Sequence, residues 1–80
     1  MKVTVRLYAS LAKYMPKEYV AGDSGVMDAE EGTTLRGLLQ GLNIPEGSAK
    51  IIFLNGAHAR GDEVLKDGDR VGVFPPVAGG

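Results

Sequence analysis

The chain has 80 residues, the length of one small domain. Nine lysine and arginine residues against ten acidic residues give a formal net charge of -1, unlike the strongly basic surface of a nucleic-acid-binding protein. Hydrophobic residues make up 44% and cysteine is absent, so we expect a cytoplasmic globular domain without disulfides, thiol nucleophiles or cysteine-ligated zinc. The apolar runs are too short for a membrane span, and the first residues lack the apolar core of a signal peptide.

The N-terminal part of the chain predicts a strand, a short helix and a second strand. Residues 2–8 alternate between apolar and polar side chains, which is typical of a strand with one buried face. Residues 10–14 have helical composition, but Pro16 limits them to one or two turns. Glycine, aspartate and serine over residues 17–25 predict a turn, and a second strand follows over residues 26–29, with Met27 and Ala29 facing the core.

The clearest helix begins after Thr34, whose hydroxyl can accept a hydrogen bond from a free amide of the first turn. It ends before Pro45, because the residue that precedes a proline avoids helical backbone angles. Its apolar residues recur at i, i+3, i+4 and i+7, so they form one stripe facing the core. These residues are Leu35, Leu38, Leu39 and Leu42.

The second half of the chain predicts three further strands. Residues 50–54 and 57–60 are joined by Asn55-Gly56, the strongest short hairpin signal, and a turn at 66–69 leads to a last strand over 70–74. The order strand, strand, helix, strand, strand, strand predicts an α+β roll, with a mixed sheet of four to five strands and one main helix across it. We expect this domain to cover residues 1–74, with a flexible tail over residues 75–80.

Candidate catalytic groups are few. His58 is the only histidine, and we expect it to be an exposed residue on an edge strand without a catalytic role. Asp67 and Asp69 flank Gly68, and turn chemistry accounts for both carboxylates more simply than acid–base catalysis does. The glycine-rich nucleotide-binding motifs are absent. We therefore expect a protein that is not itself an enzyme and that uses neither a metal nor a cofactor.

The C-terminal residues are the most informative part of the sequence. The two prolines stiffen the chain, and six residues can project up to about 20 Å. Two final residues without Cβ atoms can enter a channel too narrow for other side chains, which would deliver the carboxylate of Gly80 to another protein's active site. The alternative is a frayed end or a linker. The tail consists of Pro75, Pro76, Val77, Ala78, Gly79 and Gly80.

Strand alternation predicts that both phenylalanines face outward beside this tail. If the two valines of the last strand face the core, Phe74 faces outward. If Ile52 and Leu54 face the core, Phe53 faces outward on the same surface. An exposed aromatic pair predicts a partner-binding surface. The alternative is that the strand over residues 50–54 has the opposite orientation, so that Phe53 faces the core.

On these features the sequence resembles the MoaD/ThiS family of ubiquitin-like sulfur carriers, which have a β-grasp fold. The aspartate-glycine-aspartate turn leading to the diproline and diglycine is the most specific similarity, and it favours the molybdopterin branch. The link after the helix, residues 45–49, looks shorter than in typical members. The similar segments are residues 5–9, 31–35, 54–56, 65–71 and 73–80.

The resemblance implies a mechanism and a set of partners. A MoeB/ThiF-type, E1-like adenylating enzyme would activate the carboxylate of Gly80 with ATP, and a sulfur donor enzyme would supply the sulfur of a thiocarboxylate. The tail would then enter a MoaE-like large subunit of molybdopterin synthase, for a molybdenum or tungsten cofactor. Alternatives are a carrier for thiamin, cysteine or tRNA thiolation, and a ubiquitin-like protein modifier.

Overall fold

The computed structural model describes residues 1–16 and 24–76. Its elements follow the predicted order, and most boundaries lie within two residues of the predicted ones, whereas the main helix ends at Gly41, three residues before Ile44. The strands are β1 (Lys2–Leu7), β2 (Ser24–Asp28), β3 (Ile51–Leu54), β4 (Ala57–Ala59) and β5 (Arg70–Phe74). The helix α1 is Leu35–Gly41, and two 3₁₀ helices cover Ala9–Tyr14 and Glu46–Ser48.

The turn predicted over residues 17–25 falls largely outside the described residues. Its last two residues, Ser24 and Gly25, belong to β2, where they pair with Arg6 and Val5 of β1. The second strand thus begins two residues earlier than the composition indicated. The second 3₁₀ helix, Glu46–Ser48, was not predicted at all.

The five strands form one mixed sheet in the order β2-β1-β5-β3-β4. The first and last strands lie side by side and parallel, with Leu7 opposite Val73. The other strand pairs are antiparallel, and Ile52 of β3 lies opposite Val73 from the other side. With α1 on one face of this sheet, the architecture is the predicted α+β roll. Among the described residues, no helix is long and apolar enough to cross a membrane.

The core lies between α1 and the inner face of the sheet. Three of the four predicted leucines of α1 are buried, whereas Leu42 is partly buried because α1 ends one residue before it. Ile52 and Leu54 are also partly buried, since β3 lies towards one side of the sheet. The buried predicted residues are Val3, Val5, Leu7, Met27, Leu35, Leu38, Leu39, Val71 and Val73.

Four buried side chains were missed by the sequence analysis. Leu11 and Met15 come from the first 3₁₀ helix and its end, Ile44 from the link after α1, and Leu65 from the loop before β5. Each is a single apolar residue in a short or irregular segment. Periodicity gives no signal in such segments, because at least two turns or several alternating residues are needed to define a face.

Two predicted local signals are confirmed in atomic detail. The Thr34 hydroxyl accepts a hydrogen bond from the Gly37 amide at 3.1 Å and so caps α1. Asn55 and Gly56 have φ values of +52° and +85°, and positive φ at both central positions is the requirement of a type I′ hairpin turn. These features fix the first turn of α1 and the turn of the β3–β4 hairpin.

Candidate partner-binding site

Phe53 and Phe74 lie on the sheet face opposite α1. Their neighbours Val71 and Val73 are buried, whereas both phenylalanines are half-buried and lie outside the core cluster. Phe53 is opposite Gly72 in the β3–β5 ladder, and Phe74 is opposite Ile51. The predicted outward orientation is therefore confirmed, and the reversed alternation is not found.

Four ring side chains form an aromatic cluster on this face, which we define as Tyr8, Phe53, His58 and Phe74. Tyr8 stacks on Phe74 with ring centroids 4.0 Å apart, and Phe53 meets Phe74 edge to face at 5.7 Å. His58, which is exposed on β4 as predicted, tilts against Phe53 at 4.6 Å. The edge-to-face and tilted contacts are favourable aromatic geometries, and the four rings form one contiguous surface.

A shallow depression of about 480 Å³ lies beside this cluster. Gly72 lies at its centre, between Arg6 and Phe53 in the two ladders, and a Cβ there would come within 3.5 Å of the Tyr8 ring. The Arg6 guanidinium lies over the same ring, 4.9 Å from its centroid, and Arg70 also lines the depression. The site thus combines apolar rings with two positive charges.

A second depression, of about 400 Å³, connects the aromatic cluster to the base of the tail. It is lined by Phe53, His58 and Phe74 on one side and by Pro75 and Pro76 on the other. Pro75 is half-buried and Pro76 is exposed, and both lie beyond the end of β5. The predicted tail residues Val77, Ala78, Gly79 and Gly80 lie outside the described residues.

The carboxylates near the sheet ends are engaged in the fold. Asp69 accepts hydrogen bonds from the Asn55 side-chain amide at 3.0 Å and from the Lys66 amide at 2.7 Å, and these bonds lower its pKa. Asp67 accepts from the Lys2 amide at 2.7 Å. Asp69 thus stabilises its own turn, as predicted, whereas Asp67 joins this turn to the start of β1. Within residues 1–16 and 24–76, no three His, Asp or Glu side chains are grouped as metal ligands.

Tyr8 is the member of the aromatic cluster that the sequence analysis missed as a site residue. The alternation of β1 placed it on the outward face, but only the parallel pairing of β1 with β5 brings it next to Phe74. The Tyr8 amide donates to the Val73 carbonyl at 3.0 Å and continues this ladder. The alternation of residues 2–8 was enough to predict that Tyr8 faces outward. The pairing of the first strand with the last, which places Tyr8 beside Phe74, could not be predicted from it.

Comparison with known proteins gives matches along nearly the whole chain. The model of the ThiS family matches residues 9–80. Subunit 1 of the molybdopterin-converting factor from Helicobacter pylori, solved in complex with subunit 2, is 32% identical, with a TM-score of 0.61 over 100% of both chains. A putative molybdopterin converting factor subunit 1 from Pyrococcus furiosus is 30% identical, with a TM-score of 0.67 over 95% of this chain and 98% of that one.

A third solved structure shares the fold alone. Small archaeal modifier protein 1 from Haloferax volcanii is 21% identical, with a TM-score of 0.71 over 95% of this chain and 98% of that one. No curated protein matches the sequence significantly. The five-stranded sheet, the single main helix and the family match agree with one another. The chain belongs to the ThiS family of small sulfur carriers, which have a ubiquitin-like β-grasp fold.

Proposed function

We propose that this protein is a sulfur carrier and the small subunit of a molybdopterin synthase. The observation that carries the proposal is the 32% identity over both whole chains with subunit 1 of the H. pylori molybdopterin-converting factor. That protein was solved in complex with its subunit 2, so we propose a subunit of the same kind as the partner here. The likeness to the P. furiosus protein, at 30% identity, supports the same branch.

In this proposal residues 1–74 are the domain that partners recognise, and residues 75–80 are the arm that carries sulfur. Pro75 and Pro76 have no amide hydrogen, so they cannot extend the ladder of β5 and the arm leaves the sheet there. Six residues span up to about 20 Å, enough to reach into another protein's active site. The absence of side chains at Gly79 and Gly80 suits a narrow channel.

The proposed chemistry takes place at the carboxylate of Gly80. Its oxygen attacks the α-phosphorus of ATP on an adenylating enzyme, and pyrophosphate leaves. A persulfide of a sulfur donor then attacks the acyl carbon and displaces AMP, and a thiol cleaves the resulting sulfur–sulfur bond to leave a thiocarboxylate. This protein is the co-substrate of these steps, and the groups that catalyse them belong to its partners.

We assign the recognition of these partners to the aromatic cluster. Binding energy in protein interfaces is concentrated in a few aromatic and arginine side chains, and this surface presents three aromatic rings, a histidine and two arginines. Its second depression runs directly to Pro75 and Pro76. A partner that covers Phe53 and Phe74 would therefore hold the start of the arm in a fixed position.

The test is reconstitution with purified adenylating enzyme, ATP and a sulfur donor, followed by intact mass spectrometry. A sulfur carrier gains the mass difference between one sulfur and one oxygen atom, and fragmentation locates it at Gly80. Transfer of this sulfur to a pterin precursor on the large subunit would establish the synthase role. An isopeptide bond to another protein would establish a modifier instead, and an unchanged mass would contradict both.

A further inference from the structure

A cleft of about 230 Å³ opens on the helix side of the sheet, away from the aromatic cluster. It lies between α1, the link that follows α1, and the side of the sheet formed by β3 and the residues after β4. Its apolar lining is buried or half-buried and consists of Leu39, Ile44, Ala49 and Ile52. Arg36 and Arg60 line it as exposed, positively charged residues.

The two arginines are brought together by the backbone. The Arg36 amide donates to the Gly61 carbonyl at 2.8 Å, and the Arg36 Nη2 atom lies 3.4 Å from the Arg60 carbonyl, to which it donates. The guanidinium covers Gly61 so closely that a Cβ there would lie 3.0 Å from Nη2. Gly61 also has a φ of +118°, which other residues rarely adopt. The position of the Arg36 side chain thus depends on this glycine.

The positive charge at the cleft is not matched by an ion pair among the described side chains. Both carboxylate oxygens of Glu63 accept hydrogen bonds from backbone amides, that of Arg60 at 2.9 Å and that of Gly61 at 2.8 Å. These bonds, with a smaller effect of the Arg60 charge, lower the pKa of Glu63, so this carboxylate offsets only part of the charge of Arg60 and forms no ion pair with it. The side-chain ion pair that the described residues do form, Lys2 with Asp28, lies in β1 and β2. Arg36 is also in the first turn of α1, where a cation gains nothing from the helix dipole. The arrangement favours an anionic group from outside the domain.

We propose that this cleft binds a segment of a partner protein in which an aliphatic side chain lies next to a carboxylate. The volume is below that of ordinary small-molecule pockets, about 300–1,000 Å³, and it suits one branched aliphatic side chain. The carboxylate would lie against Arg36 and Arg60, whose planar guanidinium groups bind carboxylates with paired hydrogen bonds.

The cleft can be occupied while the aromatic cluster is occupied as well. Ile52 lines the cleft and Phe53 belongs to the cluster, and these adjacent residues of β3 point to opposite faces of the sheet. The proposal therefore adds a second docking site to the one used for sulfur transfer. It does not depend on the chemistry at Gly80.

The test uses nuclear magnetic resonance of the isotope-labelled full-length protein. The probe is the acetylated and amidated peptide Gly-Leu-Glu-Glu-Gly, and its matched control has glutamine in place of both glutamates. We expect saturable shifts of the amides of Leu39, Ile52 and Gly61, with binding about tenfold tighter for the acidic peptide. Equal binding of the two peptides, or shifts confined to the aromatic face, would overturn the proposal.

Variants then distinguish binding of the acidic peptide at the cleft from its general attraction to positive charges elsewhere on the protein. The double substitution Arg36→Gln and Arg60→Gln should weaken the acidic peptide about tenfold, whereas Lys66→Gln, a loss of charge outside the cleft, should change it by less than about twofold. Equal losses in the two variants would contradict a specific site. The small anion 3-methylbutanoate is the last probe, and binding as tight as that of the peptide would identify a small-molecule site instead. The comparison of the two peptides on the unaltered protein remains decisive even if the double variant does not fold.

Discussion

The rings of Tyr8 and Phe74 lie almost parallel, with centroids 4.0 Å and planes 8° apart. Tyr8 follows β1 and Phe74 ends β5, and the parallel pairing of Leu7 with Val73 brings them together. Aromatic pairs contribute about 0.5–1.5 kcal/mol beyond the area they bury. This contact therefore fixes the residue from which the tail departs.

The first prediction concerns this surface. Phe74→Ala should weaken binding to the proposed large subunit by more than about 1 kcal/mol, because it removes the ring that contacts both Tyr8 and Phe53. Stability should change less than affinity, since Phe74 lies outside the core. Titration calorimetry with the purified large subunit measures the effect.

A matched control for this substitution is Val64→Ala, which shortens an exposed hydrophobic residue that pairs with Thr34 beside α1. It should leave affinity unchanged within about 0.5 kcal/mol. If Phe74→Ala binds normally once corrected for its folded fraction, the aromatic cluster is not a partner-binding surface.

The second prediction concerns the helix. Leu35→Ala should lower the free energy of unfolding by about 2–5 kcal/mol, since Leu35 is 0% exposed. Leu42→Ala should have a smaller effect, because Leu42 follows the last residue of α1 and is only partly buried. Urea denaturation measures both values. Equal losses would mean that Leu42 belongs to the buried stripe of α1 as fully as Leu35 does.

The third prediction concerns acid stability. Hydrogen bonds from Asn55 and from the Lys66 amide hold the pKa of Asp69 below its usual range. A carboxyl group with a lowered pKa in the folded state stabilises the fold above its unfolded pKa of about 3.9, and this contribution is lost as the pH falls. Stability should therefore fall below about pH 4, and Asp69→Asn should show a smaller fall.

Urea denaturation at several pH values between about 2 and 7 tests this third prediction. Asp62→Asn, which removes an exposed carboxylate outside the Asp69 turn, is the control. An identical pH dependence for Asp69→Asn and the unaltered protein would show that the Asn55 and Lys66 contacts do not contribute to acid stability.

The fourth prediction concerns the end of the tail. One residue added after Gly80 would move the carboxylate by about 3.5 Å, and a misplacement of about 1 Å can reduce a rate about a hundredfold. Sulfur loading should therefore be lost, whereas Gly80→Ala keeps the length and should be less impaired. Intact mass after reconstitution measures loading, and thermal unfolding should be unchanged in both variants. Loading of the extended chain at the normal rate would contradict the proposed mechanism.

The parts of the fold that the sequence predicted have local or periodic causes. The leucine stripe of α1 and its Thr34 cap are contained within two turns, and the Asn55-Gly56 hairpin depends on two adjacent residues. The outward orientation of Phe74 follows from alternation with Val71 and Val73, whereas β3 is apolar throughout and alternation left both orientations of Phe53 open. Features of this kind can be predicted without knowing which strands are neighbours in the sheet.

The parts that were missed depend on contacts between distant segments. Leu11 and Leu65 are isolated apolar residues that become buried only when the sheet and α1 are in place. The stack of Tyr8 on Phe74 requires the parallel register of β1 and β5. The cleft beside Arg36 and Arg60 requires a loop held against α1 by backbone hydrogen bonds. A single sequence carries no information on these pairings.

The central position of β5 has a mechanical consequence. Its last residues are held from both sides, because the Tyr8 amide donates to the Val73 carbonyl and the Lys50 amide donates to the Phe74 carbonyl, each at 3.0 Å. A pulling force on the residues beyond Phe74 must shear two ladders at once and cannot peel away a single edge strand. If residues 75–80 act as the proposed arm, withdrawal from an enzyme's channel would load two strand pairings together, and the domain would stay folded.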